Sequence, residues 1–322
     1  MDTIILAGDQ KKNIKINDDN KAFLLLEQKP VIIHVLKTLL FHPEIDNIYV
    51  VGPKERLDKT LKAYEYELNS SSKKIFTIEQ KKSLLENVLE GFYCSIPEYN
   101  NKTLSIEQIK IKYIDKAALF LPGDIPLVMP EEISFFISNC DLKKYDYFIG
   151  ITPENVMETY YPETQSPGII MAYMHFKEGR YRVSNIHLAR LFKLNELKYF
   201  AQIYNIRYQK KIKNIYRFIK YVSDAPDTFK IYKYYLCMQI ALFFNNFKLK
   251  LFSDFFRKFV PINEVETILS NIINAKLKTI IIPFGGIAVD IDNEKDFAAL
   301  QSMFNKWIKK QRDFFEKKAP KL

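Results

Sequence analysis

Three short runs without charge set the strongest limit on how this chain can fold. They are TIILA at Thr3–Ala7, NIYVV at Asn47–Val51 and AALFL at Ala117–Leu121. Each stops at glycine or proline: Gly8, Gly52-Pro53 and Pro122-Gly123-Asp124. A strand covered on both faces reads this way, because neither side of its pleat meets water. Helical patterns separate the runs. Pro30–Phe41 carries Val31, Val35 and Leu39 on one helical face, with Pro30 acceptable in a first turn. Glu55–Leu68 is charged and helical, and Ser83–Tyr93 opens on Ser83 with Glu86 at the capping-box position. Ile75–Ile78 and Tyr147–Thr152 read as further strands and Pro130–Ile137 as a further helix. Strand and helix in regular alternation predict an α/β fold with a mostly parallel sheet and right-handed crossovers.

The alternation weakens after about residue 155. Ile169–Phe176 is expected to be an antiparallel strand ending at Glu178-Gly179. Leu191–Phe259 is helical in character, rich in aromatics and lysines and free of glycine. KTIIIP (Lys278–Pro283) and GIAVDID (Gly286–Asp292) read as two late strands, and Asn293 caps a last helix with Asp296 at the box position. The expected organisation is a core over residues 1–190, a helical insertion over 191–260, and strands and a helix over 261–322 that complete the core.

The 322 residues are 48% hydrophobic and 27% charged, which excludes a disordered chain. The formal charge is +10, but the lysines are spread through an Ile/Asn/Lys-rich chain and read first as a solvated basic surface. No nucleic-acid-binding motif accompanies them, so no nucleic-acid partner is expected. Cys94, Cys140 and Cys237 form no CxxC pair or metal-ligand spacing. No basic leader precedes TIILAG and no run reaches the roughly 20 apolar residues of a membrane span. A cytoplasmic location is expected.

Three places can carry chemistry. The strand and turn at Ile4–Gly8 bring backbone N–H groups towards a ligand phosphate, and Lys21 can reach the same phosphates as a point charge. A plain βα turn would read the same. LPGDIPLV at Leu121–Val128 delivers Asp124 to the carboxyl edge of the sheet, where open α/β proteins bind ligands. One such carboxylate suits Mg²⁺, which keeps most of its waters; a helix-capping Asp is the alternative. In AVDID, Asp290 and Asp292 alternate with Val289 and Ile291, so a strand would put both carboxylates on one face. Otherwise Asp292 only begins the last helix.

In their order, IILAG, KAFLLLEQKPVIIHVLKTL, IDNIYVVGP, SLLENVLEG, LFLPGDIPLV and AVDIDNEKDF resemble the MobA-like NTP-transferase family. The resemblance covers Asp2 to about Gly150 and again about Lys278 to Leu300. It implies a Rossmann-like (GT-A-like) fold, Mg²⁺, and transfer of NMP from an NTP, CTP or GTP, to a phosphorylated small molecule with release of pyrophosphate. It also implies roles. Leu6, Ala7, Gly8 and Asn87 would contact the nucleotide. Lys21 would neutralise the phosphates, and Asp124 would hold metal with Asp290 or Asp292. The family's loop is LAGG followed by x-G-x-R, whereas this chain reads LAGDQKKNIKINDDN, with Lys11, Lys12 or Lys15 in place of the arginine. That departure keeps open a nucleotide-binding protein with little or no turnover. FKEGRYRVSNIHLARL (Phe176–Leu191) resembles a REGRFTGGN-type segment, which makes Arg180, Arg182, Ser184 and Asn185 acceptor-site candidates; a surface hairpin is the alternative.

The insertion, with ALFFNNFKLKLFSDFFRKFV, is expected to pack over the acceptor pocket or to lie on a membrane surface. Oligomeric state has no signature in the sequence.

Overall fold

The computed structural model describes residues 1–8, 16, 19–69, 71–194 and 228–318. Its centre is a mixed, mostly parallel sheet. The strands are β1 (Thr3–Leu6), β4 (Ile48–Gly52), β5 (Ile75–Glu79), β6 (Ala118–Pro122), β7 (Tyr147–Pro153), β8 (Met174–Phe176), β9 (Gly179–Ala189) and β10 (Leu277–Ile281). A separate antiparallel pair, β2 (Leu25–Leu26) and β3 (Lys29–Pro30), sits before the first helix. Across the sheet the order is β5-β4-β1-β6-β9-β7-β10, with β8 paired to β9. β1 runs parallel to both β4 and β6, and β10 parallel to β7. Only β9, with its hairpin partner β8, runs against its neighbours.

The uncharged runs are explained by what covers them. Ile5, Val50, Leu119 and Leu121 face helices α1 (Val31–Leu40), α2 (Lys54–Ala63) and, beyond the short α3 (Glu65–Leu68), the distant α7 (Pro130–Ser138). Ile4, Tyr49, Val51 and Phe120 face the opposite layer, built by α4 (Leu84–Cys94), α6 (Ile106–Lys112, after the short α5, Pro97–Asn100) and α11 (Ile262–Ile273). Successive residues of one strand therefore enter different cores, and neither can be polar. The caps also hold: Ser83 Oγ accepts from the Glu86 N–H at 3.2 Å, and Asn293 Oδ1 accepts from the Lys295 and Asp296 N–H groups.

After α8 (Glu154–Met157), two expected strands are displaced. The antiparallel strand expected at Ile169–Phe176 begins only at Met174, and its long partner is β9, where the candidate acceptor residues lie. The first residues of β9, with Arg180, form a hairpin with β8, and from Tyr181 onward it is an interior strand between β6 and β7. GIAVDID is no strand either. Gly286–Ala288 is a 3₁₀ turn, and Val289–Asp292 runs on without a strand partner. Side chains satisfy its backbone instead: Glu132 accepts from the Ile287 N–H and Arg182 donates to the Ala288 carbonyl. A ladder was therefore not needed to bury this segment.

The last helix, α12 (Glu294–Lys318), completes a third core. Trp307, Phe304, Met303 and Leu300 pack there with Tyr160, Leu127 and Ile291. Trp307 is 1% exposed and meets the Tyr160 ring edge-on, with centroids 5.3 Å apart. Helices α9 (Thr228–Asn246) and α10 (Lys250–Arg257) lie within the expected insertion, and Ile231 and Tyr234 pack against Phe176 and Tyr181 of the β8–β9 hairpin. The expected helical character of 195–227 lies outside the described residues. No described helix is long and apolar enough to cross a membrane.

Trp307→Ala should lower unfolding free energy by about 3–5 kcal/mol, the cost of emptying a large buried aromatic site. Urea denaturation followed by circular dichroism measures it. A loss below about 1 kcal/mol would mean that α12 is not part of the core.

Candidate active site

The carboxyl ends of β1 and β6 meet at one edge. The Gly123 N–H donates to the Leu6 carbonyl at 3.0 Å, continuing the β1–β6 ladder past the strand ends. A Cβ on Gly123 would stand 2.9 Å from Ile32 Cδ1 and 3.2 Å from Ala7 Cβ, so the two turns are closely packed here. The residue that follows is Asp124. From the other turn, Asn20 donates through Nδ2 to the Ala7 carbonyl at 3.0 Å, and its Oδ1 accepts from the Ala22 N–H at 2.9 Å. This clasp holds the start of a short 3₁₀ turn, Lys21–Phe23, against β1.

Five charged side chains follow one another across this edge. The Lys21 ammonium is 4.0 Å from Asp124 Oδ2 and 3.7 Å from Asp292 Oδ1. Asp292 Oδ2 is 3.8 Å from the Arg182 guanidinium, which also bonds Asp290 Oδ1. The acids and bases come from four places in the chain: the 3₁₀ turn at Lys21–Phe23, the end of β6, β9 and the segment after β10. Asp290 is 6% exposed and sits against Arg182, whereas the Asp292 side chain is 43% exposed. Nearby, burial and then the Asp292 charge hold the Asp296 carboxyl above the usual carboxylate range. The negative side of this edge is therefore open at Asp292.

The expected nucleotide contacts gather beside it. Leu6, Ala7 and Gly8 end β1, and a Cβ on Gly8 would lie 3.2 Å from Asn87 Nδ2 and from Gln80 Oε1. Asn87 is 3% exposed, and its Oδ1 accepts from the Lys81 N–H at 2.6 Å. Asn87 thus joins the end of β5 to the Gly8 turn. Lys11 and Lys12 lie outside the described residues.

The four acceptor candidates separate. Arg182 belongs to the charge array. Arg180, two residues earlier on the same strand face, donates to Glu154 Oε2 at 2.9 Å and lies 3.6 Å from Asp254 of α10. Ser184 and Asn185 lie in the interior. The Ser184 hydroxyl is 2.7 Å from Thr152 Oγ1, and Asn185 Nδ2 donates to the Ile287 carbonyl at 3.4 Å. Their placement makes them supports of the 286–288 turn and of β7.

Glu132 was not anticipated. It is fully buried near the start of α7, where Oε2 accepts from its own Met129 N–H at 2.9 Å and Oε1 from the Ile287 N–H at 3.2 Å. It ties the segment after Asp124 to the segment before Asp290. Its signal in the sequence, a Glu two residues after Pro130, looks like any first-turn acid. Burial pushes the Glu132 carboxyl up to about 8, against the pull of the backbone N–H groups it accepts. The folded chain then binds the proton more tightly than the unfolded chain, so this contribution to stability is present at low pH and is lost as pH rises through about 8. Between pH 5 and 9 the wild type should lose about 2–4 kcal/mol more than Glu132→Gln does. Parallel pH dependence of the two proteins in urea titrations would contradict this assignment.

No curated protein matches the sequence. Among solved structures, the chain is similar to a hypothetical transferase from Thermus thermophilus, with a TM-score of 0.57 and 17% identity, over 92% of this chain and 98% of that one. Lower similarity extends to CMP:2-keto-3-deoxy-manno-octonic acid synthetase complexed with CTP, with a TM-score of 0.48, 11% identity and cover of 95% and 98% of the two chains. The 4-diphosphocytidyl-2C-methyl-D-erythritol synthase of Anaerococcus prevotii stands at 0.46 and 12%, with cover of 94% and 97%. The first likeness supports the fold alone. The family model for the MobA-like NTP transferase domain matches residues 3–178, more than half of the 322. By that match, and with a Rossmann-like sheet that places Lys21 and Asp124 at one edge, the chain belongs to the MobA-like NTP transferase family.

Proposed function

We propose that this protein transfers NMP from a nucleoside triphosphate, CTP or GTP, to a phosphorylated small molecule. An acceptor phosphate oxygen attacks the α-phosphorus, the bond from that phosphorus to the bridging oxygen breaks, and pyrophosphate leaves. One observation carries the reading: a lysine ammonium stands between two carboxylates, Asp124 and Asp292, directly beside the Leu6–Gly8 turn. Such chemistry is mainly positioning and charge neutralisation, so it needs no nucleophilic triad.

The chain's own groups divide the work. The Leu6–Gly8 backbone and Asn87 hold the nucleoside end. Lys21 neutralises charge that builds on the phosphates and leaves with pyrophosphate. Arg182 fixes Asp290 and so aims Asp292. The β9 face that carries Arg180 and Arg182 receives the acceptor, with Ser184 and Asn185 supporting it from beneath. A magnesium ion suits the donors. Asp124 and Asp292 are hard oxygen ligands already sharing one cation, and Mg²⁺ takes one or two carboxylates with phosphate oxygens and water. When bound, it would supply the positive charge that phosphoryl oxygens need in the transition state.

A second reading has its own support in the sequence. Asp9 stands where the family's loop has its second glycine, which adds negative charge beside the triphosphate. A protein that binds nucleotide without turning it over is consistent with that change.

Thermal unfolding against CTP, GTP, ATP and UTP, each with and without Mg²⁺, identifies the donor. At about 100 times the dissociation constant the bound nucleotide adds roughly 2.7 kcal/mol. Pyrophosphate release with phosphorylated acceptors then measures turnover. Asp124→Ala should retain the fold and lose at least about 100-fold in rate, as expected when a transition-state charge partner is removed. Full turnover in that variant would refute the mechanism. Nucleotide binding with no release for any acceptor would favour the second reading.

A further inference from the structure

The α9–α10 hairpin packs on the core through one side and leaves large apolar side chains exposed along the other, from Phe229 at 81% and Leu236 at 59% to the turn between its helices. On the packed side, Ile231 and Tyr234 are buried against the β8–β9 hairpin, Val260 and Ile262. At the tip, Phe243, Phe247, Leu251, Phe252 and Phe255 are all more than half exposed, Leu251 at 86%. The rings there pack chiefly on one another. Phe243 and Phe247 have centroids 4.8 Å apart, and Phe244 stacks on Phe252 at 5.2 Å. Lys248 makes the turn between the helices with φ at 61°. A soluble surface rarely leaves so many large side chains together in water without a partner.

The charge around the tip limits what that partner is. Residues 228–260 contain six basic side chains, among them Lys248, Lys250 and Lys258, and one acid, Asp254. Asp254 is held by Arg257 at 2.7 Å. Protein interfaces favour arginine and deplete lysine at their centres. Lysines flanking exposed phenylalanines suit a bilayer surface better, where the ring enters the acyl boundary and the ammonium stays among anionic headgroups. Since no described helix can span a membrane, such contact is peripheral. We propose that the α9–α10 tip docks this protein onto an anionic lipid bilayer through Phe247, Leu251 and Phe252, with Lys248 and Lys250 at the headgroups.

The contact is tied to the candidate site. Asp254, on the same short helix, lies 3.6 Å from Arg180, and Arg180 precedes by two residues the Arg182 that orders Asp290 and Asp292. The docking inference itself does not rest on nucleotidyl transfer, because lipid binding is measured without nucleotide.

Flotation of the full chain with vesicles of phosphatidylglycerol and phosphatidylcholine tests it. The protein should float with the anionic vesicles, about tenfold less with pure phosphatidylcholine, and less again in about 0.5 M NaCl. The triple variant Phe247→Ser, Leu251→Ser, Phe252→Ser should lose flotation while keeping the wild-type circular dichroism spectrum, with a melting temperature lowered only by the loss of the Phe243–Phe247 and Phe244–Phe252 ring contacts. Lys248→Glu with Lys250→Glu should lose the preference for anionic vesicles. No flotation at any lipid ratio, or full flotation of the triple variant, would overturn the proposal. So would a dimer in sedimentation that the triple variant abolishes without any lipid binding, since the tip would then meet a second copy.

Discussion

One ammonium group, that of Lys21, holds together two carboxylates that arrive from opposite ends of the chain. Asp124 follows β6 and Asp292 follows β10, almost 170 residues later. Two like charges at one sheet edge repel unless a cation lies between them. Arg182 repeats the device between Asp292 and Asp290. The array therefore requires that β1, β6, β9 and the segment after β10 all be in register. That requirement gives the interior position of β9 its purpose: an antiparallel strand between β6 and β7 carries Arg182 to an edge otherwise made by parallel strand ends.

The array also depends on backbone that has no ladder to hold it. The 286–288 turn is kept in place by a buried carboxylate, Glu132, by the Arg182 guanidinium and by Asn185. Each of these groups reaches it from a different element. A strand would have satisfied the same backbone more simply, but it would have fixed Asp290 and Asp292 in a flat pleat. The irregular path lets Asp290 turn inward to Arg182 while Asp292 stays open towards Lys21. Different exposures, 6% and 43%, follow from that path.

The α9–α10 hairpin shows the same division between anchoring and presentation. One of its sides contributes to the core around the β8–β9 hairpin, and its tip presents phenylalanine and lysine to the outside. The low amphipathicity of α9 follows from apolar residues on both of its sides, Ile231, Tyr234 and Ala241 in the core and Phe229, Leu236 and Phe243 at the surface.

The sheet was legible from sequence at its short uncharged strands, and not at β9, where polar and charged residues break the pattern. TIIL, IYVV and ALFL have no alternative to burial, and their bounding glycines and prolines mark the turns within a residue or two. Asp124 was legible for a related reason, because a carboxylate just after such a run stands at the strand's end, whereas Lys21, fourteen residues past Ala7, was singled out by its place at the end of the loop. What the sequence could not settle was anything decided by contacts between distant segments. AVDID alternates as a strand would, yet its first backbone groups bond within a 3₁₀ turn and to the Arg182 side chain, and alternation says nothing about them. Ser184 and Arg182 sit two residues apart in one motif, but one faces Thr152 in the interior and the other faces Asp290 at the edge. Local pattern determined the short uncharged strands and the turns that end them, because burial on two faces shows in neighbours in sequence. Tertiary structure alone decided which charges meet, because an ion pair is a property of neighbours in space.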